Sequence, residues 1–141
     1  MYKPFDLNGR KALVTGGNGG IGLGMARALL QAGADVAIWG SNPQKTAAAV
    51  DELQVEGGVV HGFVCDVGNE QTVRESLATT VEALGGLDAC FANAGVSSAP
   101  VPIADMSAEE FRRVQRVNVD GVFILLERRP KSCSSKVAVV H

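Results

Sequence analysis

The densest chemistry-bearing stretch of these 141 residues is a run of glycines, Thr15-Gly16-Gly17-Asn18-Gly19-Gly20-Ile21-Gly22. Successive amides with no side chains between them can converge on one hollow. At a helix N-terminus they meet a phosphate with the helix dipole behind them. Glycine is needed wherever a Cβ would collide with that anion or with the strand beneath it. The run fits three spacings: Gly17, Gly19 and Gly22 make G-x-G-x-x-G, Gly16, Gly19 and Gly22 make T-G-x-x-G-x-x-G, and Gly16, Gly20 and Gly22 after Thr15 make T-G-x-x-x-G-x-G. Each reads as the pyrophosphate cradle of a dinucleotide. Further polar positions stand at Ser41-Asn42, Asp66-Val67, Asn93-Ala94-Gly95 and Asn118. Proton-handling groups are scarce: the single tyrosine is Tyr2, and His61 and His141 are isolated, His61 reading as structural within a strand.

The elements that must position these residues follow from periodicity. Short β-branched runs alternate with helical patterns, which argues for a parallel sheet covered by helices. Strands are predicted over 11–15, 35–39, 59–65 and 87–92. A helix over 20–32 presents Ile21, Met25, Ala28, Leu29 and Ala32 on one face and stops at Gly33. Asn42 caps a second helix with Pro43 in its first turn, and Asn69 starts a third with Val73, Leu77, Val81 and Leu84 on its apolar face. Ser107-Ala108-Glu109-Glu110 reads as a capping box before a long helix carrying Phe111, Val114, Asn118, Gly121, Val122 and Leu125.

From Glu127 this agreement breaks. Pro130 falls where the long helix should continue, at a cost of about 3 kcal/mol for an interior position. Residues 1–126 are therefore read as one incomplete dinucleotide-binding domain, and 127–141 as an aberrant or divergent tail. The alternative is a natural variant in which Val137 to Val140 still pairs as a fifth strand. The charges divide at the same place: nine basic and fourteen acidic residues precede Glu127, whereas Arg128, Arg129, Lys131 and Lys136 face Glu127 alone in the tail.

Composition bounds the rest. Hydrophobic residues make up 46% and charged residues 20%, with a net charge of −2, so neither nucleic acid nor an anionic membrane is expected as a partner. No apolar stretch approaches the roughly 18 residues of a membrane helix, and the N-terminus lacks a signal-peptide core. Cys65, Cys90 and Cys133 have no C-x-x-C spacing and fit a reducing cytoplasm.

Taken together, the glycine run, Asn93-Ala94-Gly95 closing the fourth strand and Asn118 about 25 residues later resemble the short-chain dehydrogenase/reductase family over some 126 residues. The resemblance implies an α/β Rossmann-type doubly wound parallel sheet with helices on both faces, truncated here after about the fifth strand. It implies an NAD(P)-dependent hydride transfer on an alcohol or carbonyl. Cofactor contacts would come from Gly16, Asn18, Gly20, Ile21, Gly22, Ser41, Asn42, Asp66, Val67, Asn93, Ala94 and Gly95. Within these, Asp66 would accept from the adenine amino group, and Asn93-Ala94-Gly95 would brace the central strands beside the adenosine. Asn118 matches the asparagine that anchors a water in the family's proton relay. Residues before the first strand and in the second are similar to its sugar-acid and glucose dehydrogenases.

That chemistry also needs a serine and a Tyr-x-x-x-Lys pair after the fifth strand. The 141 residues contain no such pair, and Ser132, Ser134 and Ser135 precede the strand. No turnover is therefore expected of this chain alone, and marginal folding is expected because a sheet edge and a helix face lie bare. The full-length parent is expected to be a homo-oligomer acting on a small alcohol or carbonyl. NAD specificity needs an acid at the end of the second strand. None stands at Ile38-Trp39-Gly40-Ser41-Asn42, which leans the cofactor toward NADP, yet no Arg or Lys stands there or in the glycine run to pair a 2′-phosphate. Another reading is a non-catalytic dinucleotide-binding or interaction module. A methyltransferase fits poorly, since an acid should end its second strand.

Overall fold

The computed structural model describes residues 5–131, Cys133 and the backbone of 137–139. Tyr2, Ser132, Ser134, Ser135 and His141 lie outside these residues. Five strands form one parallel sheet in the order β3-β2-β1-β4-β5, with β1 Lys11–Thr15, β2 Asp35–Gly40, β3 Val60–Val64, β4 Ala89–Ala92 and β5 Val137–Val139. The chain steps from β1 to β2 to β3 and then crosses back to place β4 on the other side of β1. Such a reversal opens a crevice beyond the C-terminal ends of the two central strands.

Alternation along the central strands divides their side chains between two cores. Leu13, Ala37, Trp39, Cys90 and Ala92 pack with Val73, Leu77 and Leu84 of α3 (Glu70–Leu84) and Leu125 of α5 (Gly121–Arg128). Val14, Val36 and Ile38 pack with Ala26 and Leu30 of α1 (Gly20–Gln31) and Ala49 and Leu53 of α2 (Pro43–Leu53). A sheet buried on both faces reads as continuous apolar runs, as β1 and β2 do. Trp39 is fully buried, and its Nε1 donates to Thr80 Oγ1 at 2.9 Å, so the one polar atom of the largest core residue is satisfied.

The predicted caps form. Asn42 and Asn69 accept from the amides of Lys45 (2.8 Å) and Thr72 (3.1 Å), each worth about 1 kcal/mol. Gly85 ends α3 in the left-handed region at φ 70°. Other expectations are corrected. The buried face of α1 is Gly22, Ala26 and Leu30, whereas Ile21 is 70% exposed, because the glycine loop delivers the helix with Gly22 against β1. Ser107 caps α4 (Ala108–Gln115) through the Glu110 amide, but the Glu110 carboxylate does not return to Ser107. It bonds Arg113 and the Ala99 amide instead, an ion pair winning over the reciprocal cap. Phe111 is 52% exposed, since nothing among the described residues covers that side of the helix. The helical chain ends at Arg128, just before Pro130, and Val137–Val139 pairs in parallel with Cys90, Phe91 and Ala92.

Candidate active-site crevice

The turn after β1 owes its path to two glycines. Gly16 sits at φ 64°, where an added Cβ would also come within 2.9 Å of the Ala94 Cα. A Cβ on Gly22 would overlap the Gly16 carbonyl and the Asn93 amide group, so α1 can start this close to the strand ends only without one. The Gly17 amide is tied to the Trp39 carbonyl at 3.1 Å. Gly19 caps α1 with extended backbone and no side-chain acceptor, and no acid stands in the first turn. The first amides of α1 therefore have no acceptor in the helix itself. Gly20 is also left-handed at φ 53°, which favours the T-G-x-x-x-G-x-G spacing of Thr15, Gly16, Gly20 and Gly22.

Thr15 and Asn93 lock the two central strands together. The Thr15 hydroxyl is 2% exposed and accepts the amides of Asn93 and Ala94, both at 3.0 Å, while Asn93 Nδ2 donates to the Thr15 carbonyl at 3.0 Å. The Asn93 amide also reaches the Phe91 carbonyl at 2.9 Å, so removing the hydroxyl would strand the Ala94 amide, at a cost of about 1–3 kcal/mol. Asn118 makes the second brace: its Oδ1 accepts the Val96 amide at 2.8 Å and its Nδ2 donates to the Val96 carbonyl at 2.9 Å. It lies in the π-helical turn Arg116–Asp120 that interrupts α4 and α5. Such one-turn bulges shift the hydrogen-bond ladder and concentrate at functional sites.

The result is a crevice of about 510 Å³ over the β1/β4 switch point. It is lined by Gly16, Asn18, Ser41, Asp66, Val67, Ala94 and Gly95 from the predicted set, with Arg113 and Arg116 opposite. Asn93 and Asn118 line an adjoining hollow of about 270 Å³ that shares Ala94, Gly95 and Val96 with it. Gly20, Ile21, Gly22 and Asn42 do not line either hollow. The first three open α1 and Asn42 opens α2. Asn18 Nδ2 donates to Thr46 Oγ1 at 3.1 Å.

Three side chains escaped the sequence reading. Lys45, in the first turn of α2, reaches back so that a Cβ on Gly19 would lie 2.7 Å from its ammonium. No Arg or Lys stands within the glycine run or at the end of β2 itself, but α2 brings a cation to Gly19 from outside both. Helical side chains lean toward their own N-terminus, so Lys45, three positions after the Asn42 cap, was the legible candidate. Arg113 bonds Glu110 and the Ser97 carbonyl, and Arg116 bonds Asp66. The Arg113 guanidinium holds the Glu110 carboxyl below its ordinary value.

Thiol chemistry is disfavoured here. Cys65 lines the crevice, but burial raises its pKa more than hydrogen bonds from Ser76 and Thr72 lower it. Burial and the neighbouring Cys133 push Cys90 up to about 12. Among the described residues no group of three His, Cys, Asp or Glu side chains could hold a metal ion, and no helix is long and apolar enough to cross a membrane. His61 stacks on Phe63 with ring centroids 6.2 Å apart and does not line the crevice.

The sequence profile of the short chain dehydrogenase family matches residues 10–131. The chain belongs to that family. Among curated short-chain dehydrogenase relatives, the 2,5-dichloro-2,5-cyclohexadiene-1,4-diol dehydrogenase of Sphingobium indicum is 38% identical over 122 residues, covering 86% of this chain and 48% of the relative. Among solved structures, NAD+-bound xylitol dehydrogenase superposes with a TM-score of 0.84 at 34% identity, over 86% of this chain and 47% of the other. A short chain dehydrogenase from Burkholderia cenocepacia in complex with NADP gives 0.82 at 32% identity, over 87% and 50%. The chain thus spans about half the length of the short-chain dehydrogenases it matches. It is the N-terminal part of this oxidoreductase fold, with a Rossmann-type sheet.

Proposed function

We propose that the chain is the dinucleotide-binding half of an oxidoreductase that transfers hydride between NADP or NAD and a small alcohol or carbonyl. The observation that carries this reading is the crevice at the switch point, lined by Gly16, with the start of α1 held close beside it because Gly22 has no Cβ to meet the Gly16 carbonyl. When bound, the nicotinamide supplies or accepts the hydride. The amides opening α1, at Gly20, Ile21 and Gly22, would hold the pyrophosphate, with Gly16 and Asn18 shaping the loop beneath it. Asp66 and the Val67 amide would take the adenine, and Asn93, Ala94 and Gly95 would hold the strand ends beside the adenosine. Exposed Ile21 would give the pyrophosphate end an apolar wall. Asn118 would anchor a water for the proton relay of the complete site.

Ser41, Asn42 and Lys45 would surround the 2′ position of the adenosine ribose. No carboxylate pairs with Lys45 among the described residues, which supports NADP over NAD. One relative's structure holds NADP and another's NAD+, so the family's fold takes both. Residues 1–126 form the binding unit, and 127–141 a divergent tail that still lends Val137–Val139 to the sheet. The three cysteines suit the cytoplasm, and a homo-oligomer suits a parent with a longer helical face.

The 141 residues by themselves bind the dinucleotide without turning it over, because they hold no Tyr-x-x-x-Lys pair. Titration with NADPH, followed by dihydronicotinamide fluorescence, should give saturable binding by the folded chain. A folded chain that leaves the fluorescence unchanged refutes the reading. Sustained oxidation of NADPH with a carbonyl substrate by the pure chain refutes the second part alone.

A further inference from the structure

We propose that Arg116 is the positioning residue of the adenine end of the crevice: by gripping Asp66 across Gly68 it holds the carboxylate as an acceptor aimed at the 6-amino group of the base. The proposal rests on the dinucleotide reading above.

Asp66 is held from two sides before any ligand arrives. Its Oδ1 accepts the Gly68 amide at 2.9 Å, closing a tight turn, and its Oδ2 accepts from Arg116 Nη1 at 2.8 Å. The two restraints act on different oxygens, so the carboxylate cannot rotate without breaking one of them. Each oxygen keeps a second lone pair for a donor in the crevice, which both residues line. An acceptor held in place beforehand spares the ordering cost at binding.

The room for this grip comes from Gly68. Its φ is not in the left-handed region, so backbone conformation does not demand a glycine there. What demands it is Arg116: an added Cβ would overlap Nη1 and lie 2.9 Å from both Cγ and Cζ. The guanidinium lies along the turn where any side chain would stand. Two residues 48 positions apart thus serve one contact.

Folding gains little from it. The side chains are 44% and 45% exposed, and exposed pairs contribute about 0–1 kcal/mol. Their loss should therefore be read in the ligand and not in the melt. The probes are NADPH and its hypoxanthine counterpart, in which a carbonyl replaces the 6-amino group and would face Asp66 as a second acceptor. Wild-type chain should prefer the adenine form by about tenfold. Arg116→Met should reduce that preference to about threefold or less with an unchanged melting temperature, and Arg116→Lys should recover part of it. Gly68→Ala should match Arg116→Met, and the double variant should lose nothing further, as expected of residues acting through one contact. If wild type binds both bases equally, or Arg116→Met keeps the wild-type ratio while still binding NADPH, the proposal is wrong and the dinucleotide reading stands. If folded wild type binds neither probe, both fall.

Discussion

One wall of the crevice is made of backbone and the other of long side chains. The β1–α1 turn presents glycines and amides tied by Thr15 and Asn93 to the neighbouring strand, with Thr15 only 2% exposed. Opposite it, Arg113 and Arg116 project from α4 and the π-helical turn, and both are more than 40% exposed. A backbone wall is rigid and tolerates almost no substitution, which suits a group as constant as a pyrophosphate. A side-chain wall can be altered residue by residue at small cost to folding, which suits selection among bases. The same contrast marks the cores: the central strands are sealed on both faces, whereas Val119 and Phe123 on the long helix are 53% and 66% exposed.

The comparison breaks first if the backbone wall proves tolerant. Gly16→Val meets both a left-handed φ and the Ala94 main chain, so we expect a loss of roughly 3 kcal/mol in urea unfolding together with NADPH binding. An Arg113→Ala chain of near wild-type stability is the matching result on the other wall. Next in size is Thr15→Val, which keeps the shape but orphans the Ala94 amide, the Asn93 amide keeping the Phe91 carbonyl. A fall of roughly 1–3 kcal/mol should appear as a lower urea midpoint. Lys45→Ala sharpens the cofactor question: the affinity ratio of NADPH to NADH should drop about tenfold with no shift in melting temperature. The smallest effect concerns Glu110, whose folded pKa is depressed by Arg113. Its contribution is present above the ordinary glutamate value and is lost as pH falls through the depressed one. Glu110→Gln should thus melt slightly below wild type near neutrality and together with it in strong acid; a gap that persists in acid would assign the effect to something other than charge.

Much of the frame was legible along the chain. Asn42 and Asn69 mark helix starts through bonds spanning a few residues, and Val73, Leu77 and Leu84 recur at helical spacing, so each signal is local. The glycine turn was legible too, but Gly22 is common to all three spacings and Gly16 to two of them, and the left-handed φ of Gly20 separates them only in the fold. Ile21 lies off the buried face of α1 because apolar periodicity shows that a stripe exists without showing what covers it. Lys45 and Arg116 were overlooked because a charged side chain carries no periodic mark, and its partner is chosen by reach.

The order of residues alone settled the alternation of strand and helix, the glycine turn and the absence of a Tyr-x-x-x-Lys pair, since all three reside in spacing along one chain. Tertiary structure alone decided that Thr15 meets Asn93 from 78 residues away, that Arg116 meets Asp66 from 50, and that Lys45 hangs over Gly19. Those contacts exist because the strands all run parallel, which brings the turns that follow them, from distant parts of the chain, to the same end of the sheet.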